Sequence, residues 1–290
     1  MARVALVAGS NGGFGGAMAA ALRAEGWQVR AYARGTDMGV AAKGADVIVN
    51  GLNPPRYHAW DRLIPEITGA VLAAALASGA RVLVPGNVYP LGREPGPWTA
   101  DTPHRPVSRK GQIRATMEAH YRDAAATGQA RVLILRAGDF IQGGGRQGIY
   151  PEVVLKPLAK GRIVALGDPA ARRAHAFLPD MARAGAALLA QDGPGFLDMS
   201  FAGHCFSIAD LAAEIGRQTG HAPQVARFGW WQLQLASPFW ELARELLEMR
   251  YLYDLPHALD ARPLAAALPG FAVTPFDQVV AAMIAPLRAA

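Results

Sequence analysis

The sequence predicts an α/β protein, a parallel sheet wound in both directions with helices on both faces. Three observations predict it. Short apolar runs at 4–8, 45–50, 81–84 and 130–136 have the length and composition of strands buried on both sides. They alternate with longer stretches at 17–25, 64–78 and 108–127 that read as helices, the first two stopped by Gly26 and Gly79. The first run and the first helix are joined by Gly9-Ser10-Asn11-Gly12-Gly13-Phe14-Gly15-Gly16.

That junction organises the chain. A tight strand-to-helix turn needs a residue without Cβ at Gly9. A small residue at Gly12 lets backbone N–H groups approach a pyrophosphate, and Gly15 lets the helix pack close to the strand. The helix N-terminus adds partial positive charge. Glycines at 9, 12 and 15 between a strand and a helix therefore predict a dinucleotide site. Its residues are Gly9, Asn11, Gly12, Gly13, Phe14 and Gly15.

Composition narrows the class. At 290 residues the chain can hold one large α/β domain or a dinucleotide-binding core with a smaller C-terminal lobe. A hydrophobic fraction of 51% is ample for a core and excludes global disorder. The net charge of +6 comes from arginines scattered along the chain, which argues against a nucleic-acid partner. The single cysteine, Cys205, excludes an internal disulfide framework and reads as a small buried hydrophobe, while His204 beside it has no partner at metal-ligand spacing. No metal is expected. The apolar run at 4–8 is too short for a secretion signal and no run spans a bilayer, so no membrane contact is expected and a cytoplasmic protein is.

The second strand, at 27–33, ends in Tyr32-Ala33-Arg34-Gly35, with no acid where NAD-binding folds hold the ribose 2′-hydroxyl. Arg34 could instead pair with a 2′-phosphate, which favours NADP; Asp37 keeps NAD open. The third strand leaves through Asn50-Gly51-Leu52-Asn53 and the fourth through Pro85-Gly86-Asn87-Val88-Tyr89, at the sheet's carboxyl edge where such folds hold ligands. Ser108 is placed to cap the helix at 108–127, and the strand at 130–136 runs into Ala137-Gly138-Asp139-Phe140 and the glycines 143–145. Farther on, 149–160 reads as a helix and 163–166 as a strand. Residues 181–190 read as a helix, 195–199 as a strand, and 207–219 as a helix capped by Ser207. Beyond Pro238, Phe239, Leu242, Leu246 and Met249 recur at helical spacing, a stripe that reads as core or subunit contact. Helices at 264–268 and 276–287 close the chain.

The G-x-x-G-x-x-G spacing, Val88-Tyr89, Leu135-Arg136 with the segment to Phe140, and Gly111 with Glu118 together resemble the short-chain dehydrogenase/reductase superfamily. The likeness is to its extended epimerase/dehydratase branch, and it is specific over 3–141. The resemblance implies a Rossmann-type core at 1–148, with 175–200 returning to the sheet. A mostly helical substrate lobe is implied at 149–174 and 201–290. The interval 36–44 is shorter than the family's, which implies a sheet one strand short at that edge. Cofactor contacts are implied at Asn50, Gly51, Leu52, Pro85 and Lys110. Substrate contacts are implied at Asn53, Asn87, Tyr89, Asp139 and Phe140, and a homodimer through the helices at 64–78 and 108–127.

The family's catalytic Ser, Tyr and Lys fall on Pro85, Lys110 and Arg114, so all three are replaced. Two chemical readings follow. In one, Lys110 is the proton donor, its pKa lowered by burial and by Arg109 and Arg114, with Arg114 on the cofactor ribose and Asn87 or Tyr89 on the substrate oxygen. In the other, Lys110 and Arg114 only clamp an anion; a solvated helix face is the plainest alternative. His104, His120 and Tyr121 read as structural. The leading expectation is an NADP-linked oxidoreductase or epimerase acting on a small carbonyl, sugar or sugar-like compound. Arg105, Arg109, Lys110 and Arg114 point to an anionic one. The competing expectation is a non-catalytic dinucleotide-binding regulator.

Overall fold

The computed structural model describes residues 2–144 and 147–288, so Gly145 of the predicted glycine run lies outside the described residues. The N-terminal half alternates β1 (Val4–Ala8), α1 (Gly13–Ala24), β2 (Gln28–Ala31), α2 (Met38–Ala42), β3 (Val47–Asn50) and α3 (Trp60–Ser78). It continues with β4 (Arg81–Gly86), α4 (Arg109–Ala126), β5 (Arg131–Arg136) and β6 (Asp139–Ile141). Then come β7 (Arg162–Ala165), β8 (Arg173–Phe177), α5 (Leu178–Ala190), β9 (Phe196–Ser200), β10 (His204–Phe206), α6 (Ile208–Thr219) and β11 (Gln224–Arg227). Helices α7 (Trp230–Ala236), α8 (Glu241–Met249), α9 (Tyr251–Asp254), α10 (Arg262–Ala267) and α11 (Phe276–Arg288) complete it.

The six-stranded sheet runs β2-β1-β3-β4-β5-β9, all parallel. Its strands feed two cores by turns. Ala5, Val7, Val47, Val49, Leu133 and Leu135 pack against α1 and α5, while Leu6, Ala8, Ile48, Val82, Val132 and Ile134 pack against α3 and α4. Burial on both faces is why the strands read as unbroken apolar runs. The strand order reverses between β1 and β3, and that switch point opens a crevice at the carboxyl edge. As the shortened interval implied, only the five-residue α2 lies between β2 and β3, and β2 is the sheet's edge.

Several local expectations are met. Ser108 caps α4, accepting from the Gly111 N–H at 3.0 Å, and Ser207 with Asp210 forms a reciprocal capping box at α6. Others need correction. The predicted helix at 149–160 is broken into a wide turn at Tyr150–Val154 and a 3₁₀ turn at Leu158–Lys160; Pro157, with no N–H to give, ends helical bonding between them. The segment at 173–177 does not return to the main sheet. β8 pairs with β6 and β10 in a separate three-stranded sheet, and of 175–200 only β9 joins the main sheet, with α5 packed on its face. Gly138 permits this, since a Cβ there would lie 1.9 Å from the Ala174 carbonyl oxygen. In the C-terminal stripe Met249 is buried, but Phe239 is 94% exposed, because the chain breaks between α7 and α8. Cys205 is half-buried rather than buried. Among the described residues no helix is long and apolar enough to cross a membrane, and no His/Cys/Asp/Glu cluster could hold a metal ion.

Candidate functional site

The glycine turn closes as its spacing requires. Gly9 has φ +78°, and a Cβ on it would sit 2.5 Å from the Gly51 carbonyl oxygen. A Cβ on Gly15 would sit 2.3 Å from the Gly9 oxygen. The Gly12 N–H donates to that same oxygen at 2.9 Å. α1 therefore starts at Gly13, four residues earlier than helix propensity suggests, and no side chain caps it. The amide N–H groups of its first turn are left for a ligand. A side chain at Gly9 or Gly15 would collide with backbone and force the turn open, so the residues present fit the pyrophosphate of a dinucleotide.

The cradle opens on a cavity of about 400 Å³. Of the predicted residues, Gly12, Gly13, Phe14, Asn50, Gly51, Leu52, Asn53, Pro85, Asn87, Tyr89, Arg114, Asp139 and Phe140 line it. Gly9 and Gly15 shape the turn from behind. Asn11 is exposed, as is Arg34, in the turn after β2. Several polar groups serve the loops. Asn50 donates to the Tyr121 hydroxyl at 3.1 Å and accepts from the Leu52 N–H, and the Asn87 Oδ1 accepts from the Tyr89 N–H at 3.0 Å. That acceptor of Asn87 is spent on the turn rather than on a ligand. Asp139 pairs with Arg173 at 2.5 Å; burial raises its carboxyl, but Arg173 outweighs burial and holds it below the usual range.

Lys110 requires the main correction. It does not line the cavity. Its side chain is fully buried, and its ammonium is gripped by Glu245 and, at 2.5 Å, by Glu248, both from α8. Arg109 pairs with Glu245 as well. Two carboxylates supplied from far along the chain therefore replace the like-charge environment that the sequence suggested. Arg105 is exposed, so of the predicted cationic group only Arg114 reaches the cavity. Lys110 is a clamp between α4 and α8. Lys110→Met is expected to lower stability by about 3 kcal/mol in urea denaturation, by stranding buried carboxylates, with dinucleotide affinity unchanged. Wild-type stability with lost cofactor binding would contradict this assignment.

The structure adds Tyr57 and Trp60, which the sequence reading passed over. The segment after β3 carries Arg56, Tyr57 and Ala59 at φ of 55°, 62° and 47°, three non-glycine residues in left-handed backbone. Such strain concentrates at functional sites. It turns Tyr57 into the cavity, where its hydroxyl lies 3.1 Å from that of Tyr89. Trp60 stacks on Tyr89 and lies under the Arg114 guanidinium at 4.8 Å. Burial raises both tyrosine pKa values; the bond to Tyr89 partly offsets this for Tyr57, whereas the neighbouring Tyr57 adds to it for Tyr89. Both are hydrogen-bond donors at neutral pH. The available signal was Pro54-Pro55 followed by two aromatics directly after a strand end.

Fold and site together define a class by architecture: a doubly wound α/β core with a small C-terminal lobe, similar in fold to solved epimerase structures. A UDP-glucuronic acid 4-epimerase from Bacillus cereus, solved with NAD, superposes with a TM-score of 0.77 at 14% identity over 99% of both chains. A nucleoside-diphosphate-sugar epimerase from Pseudomonas aeruginosa gives 0.72 at 20% identity over 99% of this chain and 98% of that one. MoeE5, solved with UDP-glucuronic acid and NAD, gives 0.75 at 18% identity over 99% of both. No protein-family model and no curated relative matches the chain. The likeness is one of fold.

Proposed function

We propose that the protein is an NAD(P)-dependent oxidoreductase or epimerase of small carbonyl, sugar or sugar-nucleotide compounds, with Tyr57 and Tyr89 in the acid role that Lys110 does not fill. One observation carries this reading: the uncapped α1 start and the paired tyrosine hydroxyls open on the same cavity. Gly12, Gly13 and Phe14 would hold the pyrophosphate. The chemistry a nicotinamide would supply there is hydride transfer, to a carbonyl carbon in reduction and from the alcohol carbon in oxidation. Tyr57 gives its proton to the carbonyl oxygen, and Tyr89 accepts a hydrogen bond from Tyr57 or donates one to it. Arg136 holds the Asn87 carbonyl oxygen at 2.6 Å and so fixes the loop that carries Tyr89.

The cofactor is proposed to be NADP. Among the described residues nothing pairs with exposed Arg34, in the turn after β2, whereas Asp37 spends its Oδ1 capping α2, accepting from the Val40 N–H at 2.7 Å. The neighbours solved with NAD make NADH the necessary control. A homodimer and a cytoplasmic location belong to the same proposal. Calorimetric titration with NADPH and NADH, followed by a carbonyl panel, tests it: binding with turnover is expected, and no heat with either would overturn it. A second reading, a non-catalytic dinucleotide sensor, is favoured by Pro85 and by the withdrawal of Lys110 into α8. Tight binding without turnover on any panel member would establish that reading.

A further inference from the structure

We infer that the reacting end of the cavity is built for a substrate bearing a carboxylate, with Arg114 as its counter-ion. The inference rests on the functional reading above and adds the substrate's class. Arg114 is 8% exposed. Its guanidinium touches the Asn53 Oδ1 at 2.8 Å, the Met117 sulfur at 3.6 Å and the Trp60 ring, while its Nε has no partner. Among the described residues no carboxylate lies within ion-pair reach of it. A buried charge without a counter-ion is costly, and burial here works against the charged form. Three other deeply buried cations have acids: Lys110 has Glu245 and Glu248, Arg136 has Glu118 and Asp198, and Arg173 has Asp139, while Arg81, at the start of β4 and away from the cavity, donates to the Leu188 and Gln191 carbonyl oxygens. Arg114 alone of these faces the cavity, and its planar fork suits a carboxylate.

The charges around it agree. The charged residues lining the cavity are Arg56, Arg114 and Asp139, and Asp139 is already matched by Arg173, so the net field there is positive. The cofactor's pyrophosphate is not the missing anion. It belongs at the start of α1, which packs on one face of the sheet, whereas Arg114 rises from α4 on the other.

The test compares acid and neutral partners of matched shape on protein saturated with the reduced dinucleotide it binds, NADPH on the reading above. Pyruvate against pyruvamide and UDP-glucuronic acid against UDP-glucose are titrated by calorimetry, so that ligand size cannot decide the outcome. In at least one pair the acid should bind roughly ten- to a hundredfold more tightly. Arg114→Gln should erase that preference and leave NADPH affinity within about twofold, while Arg114→Lys should keep most of it because the charge stays. Circular dichroism confirms that each variant is folded, and the Lys variant carries the test if the Gln variant is not. No acid preference in either pair overturns the inference, as does a preference that survives in Arg114→Gln. A loss of NADPH affinity on Arg114→Gln would make Arg114 a cofactor ligand and overturn it too. Failure of the wild type to bind either reduced dinucleotide defeats the functional reading instead.

Discussion

Tyr57→Phe is expected to cut carbonyl reduction about a hundred- to ten-thousandfold while leaving dinucleotide affinity unchanged, the range over which a positioned general acid acts. The substitution removes one oxygen and keeps the ring that packs edge-on against Trp60 at 5.0 Å, so the cavity wall survives. Tyr89→Phe should cost less, about tenfold, because it removes only the group bonded to the donor. Burial holds both hydroxyls above the ordinary tyrosine value, so from pH 6 to about 9 the donor stays protonated and the reduction rate should be flat. The reverse reaction needs tyrosinate and should climb with pH across the same range. Stopped-flow rates in both directions check this. Wild-type turnover in Tyr57→Phe would remove Tyr57 from the chemistry.

Arg136→Met should lower stability by about 3–5 kcal/mol and the melting temperature on the order of 10 °C. Arg136 is 1% exposed and binds Glu118, itself fully buried, at 2.6 Å and Asp198 at 2.6 Å. Deleting it strands two carboxylates inside the fold. The pH dependence gives a sharper signature. Burial raises the Glu118 carboxyl, but Arg136 and His104 outweigh that and hold it below its usual range. Its contribution is therefore present above the ordinary carboxylate value and lost as pH falls through the lowered one. Burial leaves Asp198 above its usual range, so it takes a proton first on acidification and relieves a cost instead of adding one. Without Arg136 neither acid has its main counter-ion, and protonation should recover stability. The variant should gain between pH 7 and about 5, while the wild type should not. Thermal melts across that range decide it, and parallel profiles for the two proteins would contradict the assignment.

Much of the fold was legible because its signals are local. Strands buried on both faces appear as uninterrupted apolar runs, and the caps at Ser108 and Ser207 act within three residues of themselves. The turn at Gly9, Gly12 and Gly15 is dictated by backbone approach within one strand–helix unit. The start of α1 was misplaced for the same reason it matters: glycines that weaken a helix are what let its first turn approach a phosphate. Of the site, the glycine cradle and the strand-end loops could be read, and the partners of the charged residues could not.

The sequence alone determined the α/β class and the glycine turn between β1 and α1, and its family resemblance implied that Pro85, Lys110 and Arg114 stand in the acid/base positions. Only the tertiary structure decided which of those charges faces the cavity. Glu245 and Glu248, more than a hundred residues downstream, fold back over α4 and neutralise Lys110, while Arg114 lines the cavity with no ion-paired acid among the described residues. Spacing on one helix sets which side chains share a face. The sign and burial of what covers that face come from α8, and electrostatics at a few ångströms depend on that packing, not on sequence distance.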